Sequence, residues 1–117
     1  MNALKEKNMQ TASKGKHSHL IGEASLAQMS EFFKVMGDKT RLSILIELLE
    51  GSLCVMHISE RVGMSQSAIS HQLAILRRAD LVRVKRSGKT LIYSISDEHV
   101  RLMLDMALLH INEEGKL

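Results

Sequence analysis

The chain contains no proline, no tryptophan, one tyrosine and two phenylalanines among its 117 residues. With so few flat, bulky side chains, Leu, Ile and Met must fill the core, which favours packed helices over a β-sandwich. One cysteine, Cys54, excludes an internal disulfide and any site of three or four thiolates from one chain. No apolar run approaches the length of a membrane span, and the polar N-terminus does not read as a secretory signal. A soluble cytoplasmic protein with no membrane partner is expected. A chain of this length supports one domain with a modest core, and such domains often borrow burial from a partner subunit.

What is present is unevenly distributed. Net charge is only +3, but Arg61 to Thr90 carries seven basic residues against one acidic residue, Asp80. Leu91 to Leu117 reverses this, with two basic and five acidic residues. A basic middle beside a non-basic flank suits a surface aimed at polyanions.

Residues 1–22 are polar, with Lys5, Lys7, Lys14 and Lys16 and weak periodicity, and read as a flexible arm. Ser25 can cap a helix to about Met36, with Leu26, Met29, Phe32, Phe33 and Met36 on one stripe; Gly37 stops it. Asp38 caps a second helix bearing Leu42, Ile44, Leu45, Leu48 and Leu49, closed by Gly51. A short third helix, Val55 to Val62, turns inward at Ile58 and Val62. Gly63 makes a sharp turn, and Ser65 caps a fourth helix from Gln66 to about Ala79 with Ile69, Leu73, Ile75 and Leu76 facing in. Short helix, glycine turn, second helix is the helix-turn-helix pattern. Leu81–Arg86 and Thr90–Ser96 then alternate like strands around a Ser87-Gly88 turn, which makes a wing.

The outer face of the fourth helix carries Gln66, Ser67, Ser70 and His71. These side chains hydrogen-bond to base edges and phosphates, whereas an ordinary solvated face is richer in Glu and Lys. Arg77 ends that helix. Arg83, Arg86 and Lys89, with Lys85, put charge on the wing and provide salt-sensitive affinity for double-stranded operator DNA. Two such units on a dimer would read an imperfect palindrome.

The last helix, Asp97 to Glu113, adds a different chemistry. Ser96 or Asp97 can cap it. His110 lies about 1100° past His99, so both point within roughly 20° of one direction, and Glu113 falls about 40° to the other side. Met103 and Met106 occupy the stripe between. Eleven residues span roughly 16 Å, far more than one ion can bridge. Two antiparallel copies solve this: Asp97 and His99 of one subunit meet His110 and Glu113 of the other, twice. Two imidazoles and two carboxylates form a tetrahedral set suited to Zn(II).

These features together resemble the ArsR/SmtB-type winged-helix metal-sensing repressors, in the branch whose zinc site lies on the C-terminal helix. The resemblance runs from about Ala24 to Glu114. It rests on Leu53-Cys54-Val55, on Ser65 to Leu73 (SQSAISHQL), on Leu81-Val82, on Gly88 in the wing, and on Asp97-x-His99 with His110-x-x-Glu113. It implies a mainly α fold with a small β-hairpin, ordered α-α-α-αR-β-β-α, working as a homodimer. Residues 23–117 are then the DNA-binding and dimerisation domain, with the helix-turn-helix at 54–79, the wing at 81–96 and the dimer and metal helix at 97–114. It also implies that the metal-free dimer blocks a metal efflux or sequestration gene and that Zn(II), as regulatory ligand, releases it. The second ring nitrogen of His110 would reach a backbone carbonyl just past the recognition helix, at Asp80 or a neighbour.

The sequence departs from that pattern at Met56, where soft-metal sensors of the family carry a second cysteine. A second site of Cys54, His57, His17 and His19 is one alternative. The plainer expectation is that Cys54 is a small buried apolar residue and His57 is exposed. Co(II) or Ni(II) in place of zinc, or redox sensing through Cys54, are competing signals. A metallohydrolase using His99, His110 and Glu113 is disfavoured, because a catalytic zinc needs an open position and a pocket. The chain is expected to have no catalytic residues, no enzymatic activity and no small-molecule substrate.

Overall fold

The computed structural model describes residues 22–113. The described residues fall into two units, divided between Phe33 and Lys34. Helix α1, Glu23–Met36, crosses that boundary. It begins two residues before Ser25, which lies inside the helix; the Gly22 carbonyl accepts the Leu26 amide at 2.9 Å. In the described part of the first unit the Phe32 and Phe33 rings meet edge to face at 5.5 Å. Leu26, Met29 and Phe33 of the expected stripe are exposed.

The second unit contains α2 (Lys39–Leu49), β1 (Leu53–Cys54), α3 (Val55–Val62), α4 (Gln66–Arg78), β2 (Val82–Ser87), β3 (Thr90–Ile95) and α5 (Glu98–Ile111). Three of its helices start on caps that satisfy an otherwise orphaned amide. Asp38 accepts from the Arg41 amide, Ser65 from Ala68 and Asp97 from Val100, each at 3.1 Å. Gly63, at φ 80°, ends α3 in the left-handed region, and the Ser59 hydroxyl donates to the Met64 carbonyl across the turn into α4.

The core is aliphatic. Ile44, Leu45 and Leu48 of α2, Ile58 of α3, and Ile69, Leu73 and Leu76 of α4 are fully buried, with Leu81 and Val82 sealing one end. Methionine contributes less than expected: among the described residues Met36 alone of the methionines is buried, while Val35, Val82 and Val100 take such places. Among the described residues no polar or charged side chain is buried.

The sheet has three antiparallel strands in the order β1-β3-β2: the expected hairpin forms from β2 and β3, and β1 adds a third strand to it. β1 pairs Leu53 with Tyr93 and Cys54 with Ile92. The wing pairs Val82 with Ile95 through Ser87 with Thr90, which places the turn at Gly88-Lys89, one residue later than expected. Gly88 has φ 63°, the conformation a two-residue hairpin loop demands of a leading glycine. The last helix ends at Ile111, so Glu113 lies beyond it, after Asn112 as C-cap. Among the described residues no helix is long and apolar enough to cross a membrane.

Candidate nucleic-acid interface and metal half-sites

Helix α4 is two-sided in the way its sequence implies. Ile69, Leu73 and Leu76 have no exposed surface, while Gln66, Ser67, Ser70, His71 and Arg77 are exposed. Its orientation is held by a side chain that periodicity did not flag. Arg41 of α2 donates through Nε to the Val35 carbonyl at 2.7 Å and through Nη1 to Gln72 Oε1 of α4 at 3.1 Å. A charged residue within an amphipathic helix reads as solvent-facing, and only the fold shows that this one is half-buried between elements. On the wing Arg83, Lys85, Arg86 and Lys89 are exposed, with Arg83 Nε 3.3 Å from Ser94 Oγ.

The C-terminus of α4 stops in a Schellman motif. The Leu81 amide donates to the Leu76 carbonyl at 2.9 Å and the Asp80 amide to the Arg77 carbonyl at 3.0 Å. The required left-handed position is filled by Asp80, at φ 60°, instead of glycine. Leu76 and Leu81 are both fully buried, the apolar contact typical of this stop. The Asp80 carbonyl accepts the Ser96 hydroxyl at 2.7 Å.

Helix α5 is anchored by Val100 and Leu104, both buried, and by Arg101, whose Nη1 donates to the Leu49 carbonyl at the end of α2 at 2.8 Å. Its other face is open: Leu102, Met106, Leu108, Leu109 and Ile111 are exposed. The four expected donors form two separate pairs. His99 Nδ1 lies 3.6 Å from Asp97 Oδ1, and His110 Nδ1 lies 3.3 Å from Glu113 Oε1.

These separations test the donors' fit to zinc. Tetrahedral bonds of about 2.0–2.2 Å place neighbouring ligand atoms roughly 3.3–3.6 Å apart. Each pair spans one such edge, two of the four positions that a tetrahedral ion fills. Among the described residues no group of three or more His, Cys, Asp or Glu in one chain stands close enough to hold a metal ion.

A third pair also forms: Cys54 Sγ and His57 Nδ1 are 3.4 Å apart, close to the edge expected for one sulfur and one nitrogen ligand. Cys54 is half-buried instead of buried, and His57 is exposed as expected. His17 and His19 lie outside the described residues.

A short helix, a glycine turn, a polar-faced helix and a basic hairpin define a winged helix-turn-helix regulator. The chain belongs to the arsR family: residues 38–84 match the model described as "Bacterial regulatory protein, arsR family". NmtR of Mycobacterium tuberculosis, an HTH-type transcriptional regulator, is 39% identical over 90 residues, 77% of this chain and 75% of NmtR. The AntR antimony-specific transcriptional repressor superposes with a TM-score of 0.73 at 32% identity, covering 92% of this chain and 94% of AntR. The homodimeric winged helix-turn-helix DNA-binding domain of Mb0332 from Mycobacterium bovis also gives 0.73, at 26% identity, covering 87% and 91%.

Proposed function

We propose that this protein is a Zn(II)-responsive transcriptional repressor that works as a homodimer and releases its operator when the metal rises. The carrying observation is the donor pair at each end of α5, each with imidazole and carboxylate at a tetrahedral edge length. Asp97 and His99 of one subunit complete a site with His110 and Glu113 of the other. The exposed apolar side chains of α5 supply the seam between the copies. The homodimeric relative and the antimony-specific repressor support dimerisation and metal control.

When bound, the ion supplies a positive centre that joins two chains in one arrangement. Gln66, Ser67, Ser70 and His71 of each α4 enter the major groove, Arg77 contacts the backbone, and Arg83, Arg86 and Lys89 of the wing grip the flanks. Release follows if the metal-joined arrangement spaces the two α4 helices poorly for the half-sites. By reciprocity, operator binding must then weaken zinc binding by the same factor. The gene controlled would serve metal efflux or sequestration.

Operator binding of wild type and His99→Ala, with zinc and with chelator, tests this. The duplex is an inverted repeat selected by the wild-type protein from a random pool. Wild type should lose about 5–150-fold in affinity with zinc. His99→Ala should bind the duplex as well as metal-free wild type and show no such loss; zinc-dependent release in the variant would refute the proposal.

A second reading has one observation behind it, the Cys54–His57 pair at 3.4 Å. His17 and His19 are candidate donors to complete that site. Zinc stoichiometry in the same titration decides: one ion per chain for α5 alone, two with the added site.

A further inference from the structure

Metal control needs a physical connection from the donor pairs to the recognition helix, and one candidate lies inside a single chain. Ser96 holds both residues that stop α4. Its hydroxyl donates to the Asp80 carbonyl at 2.7 Å and its amide donates to the Leu81 carbonyl at 3.1 Å. Asp80 and Leu81 in turn close α4 onto Arg77 and Leu76. The next residue after Ser96 is Asp97, a proposed metal ligand. Its backbone is extended at φ −159° and ψ 177°, so the two side chains point to opposite sides of the chain. One faces the stop of α4. The other caps α5 at Val100 and stands 3.6 Å from His99 Nδ1.

We propose that Ser96 is a positioning residue that couples the Asp97–His99 half-site to the C-terminus of the recognition helix. The inference rests on the zinc-responsive reading above. A carboxylate drawn into coordination shifts the backbone at Asp97, and Ser96 passes that shift to the left-handed Asp80. That turn holds the left-handed residue on which α4 closes, at φ 60°. The other polar anchor on α5, Arg101 to the Leu49 carbonyl, leads to α2 instead of α4. The Ser96–Asp80 bond is open to water, so removing the hydroxyl leaves the carbonyl solvated, and Ser96→Ala should fold.

The test measures operator affinity of wild type, Ser96→Ala and Ser96→Thr, each with chelator and with Zn(II), alongside zinc affinity by competition with a chromophoric chelator. Ser96→Ala should match wild type in metal-free operator affinity and in zinc binding to the free protein. Its zinc-induced loss of operator affinity should shrink by about fivefold or more, and Ser96→Thr should restore it. An unchanged zinc response in Ser96→Ala overturns the inference. Loss of metal-free operator binding also overturns it, because Ser96 would then be a folding residue. A wild type whose operator affinity ignores zinc removes the underlying reading as well, which separates the two failures.

Discussion

Asp80 occupies a position where most side chains pay a steric penalty. A short polar side chain tolerates φ 60° far better than a β-branched one. Asp80→Val should cost about 1–2 kcal/mol of stability, seen as a lowered urea midpoint with an unchanged slope. The caps at Asp38, Ser65 and Asp97 were legible in the sequence, because a short oxygen-bearing side chain just before an apolar period has a defined local partner. Asp80 was not, since its conformation follows from how α4 meets β2. By sequence Ser96 is an alternative cap. The structure gives that role to Asp97 and leaves the Ser96 hydroxyl for the Asp80 carbonyl. Arg41 was missed for a similar reason: its partners Val35 and Gln72 lie six and thirty-one residues away, outside any periodic window.

At the scale of elements, α3 is readable from its stop at Gly63 and α4 from its cap at Ser65. β1 was not: two residues hold no period, and the strand exists only because β3 returns beside it. By sequence α5 runs on through Glu113, because nothing in Asn112-Glu113 breaks a helix, whereas it ends at Ile111. The structure nevertheless keeps Glu113 within 3.3 Å of His110 from outside the helix. The wing is an exposed hairpin with basic side chains on both sides of Gly88. If it lies along the phosphate backbone, each lost contact removes roughly 0.9 from the slope of log affinity against log salt. The double variant Arg86→Ala/Lys89→Ala should flatten that slope by about two units in duplex titrations from low to moderate salt; an unaltered slope would take the wing off the DNA.

For the whole molecule, the decisive property is what one chain leaves uncovered. Leu109 and Met106 are 62% and 60% exposed on α5, although the chain is rich enough in aliphatic residues to bury a core of valine, leucine and isoleucine. In the proposed dimer that face is the seam, and a charge there would be desolvated without a partner. Leu109→Glu should turn the dimer into a monomer at micromolar concentration by sedimentation, with operator affinity lost alongside. The donor pair at the far end of α5 has a separate vulnerability. Glu113 hangs on the backbone after the last helical turn, and only Asn112 separates it from Ile111. A carboxypeptidase that trimmed the chain back to Asn112 would leave the core, the wing and the recognition helix whole. Such a clipped protein should occupy the promoter at any zinc level, a permanent off state for the gene reached by proteolysis. Footprinting of protein ending at Asn112 would show it.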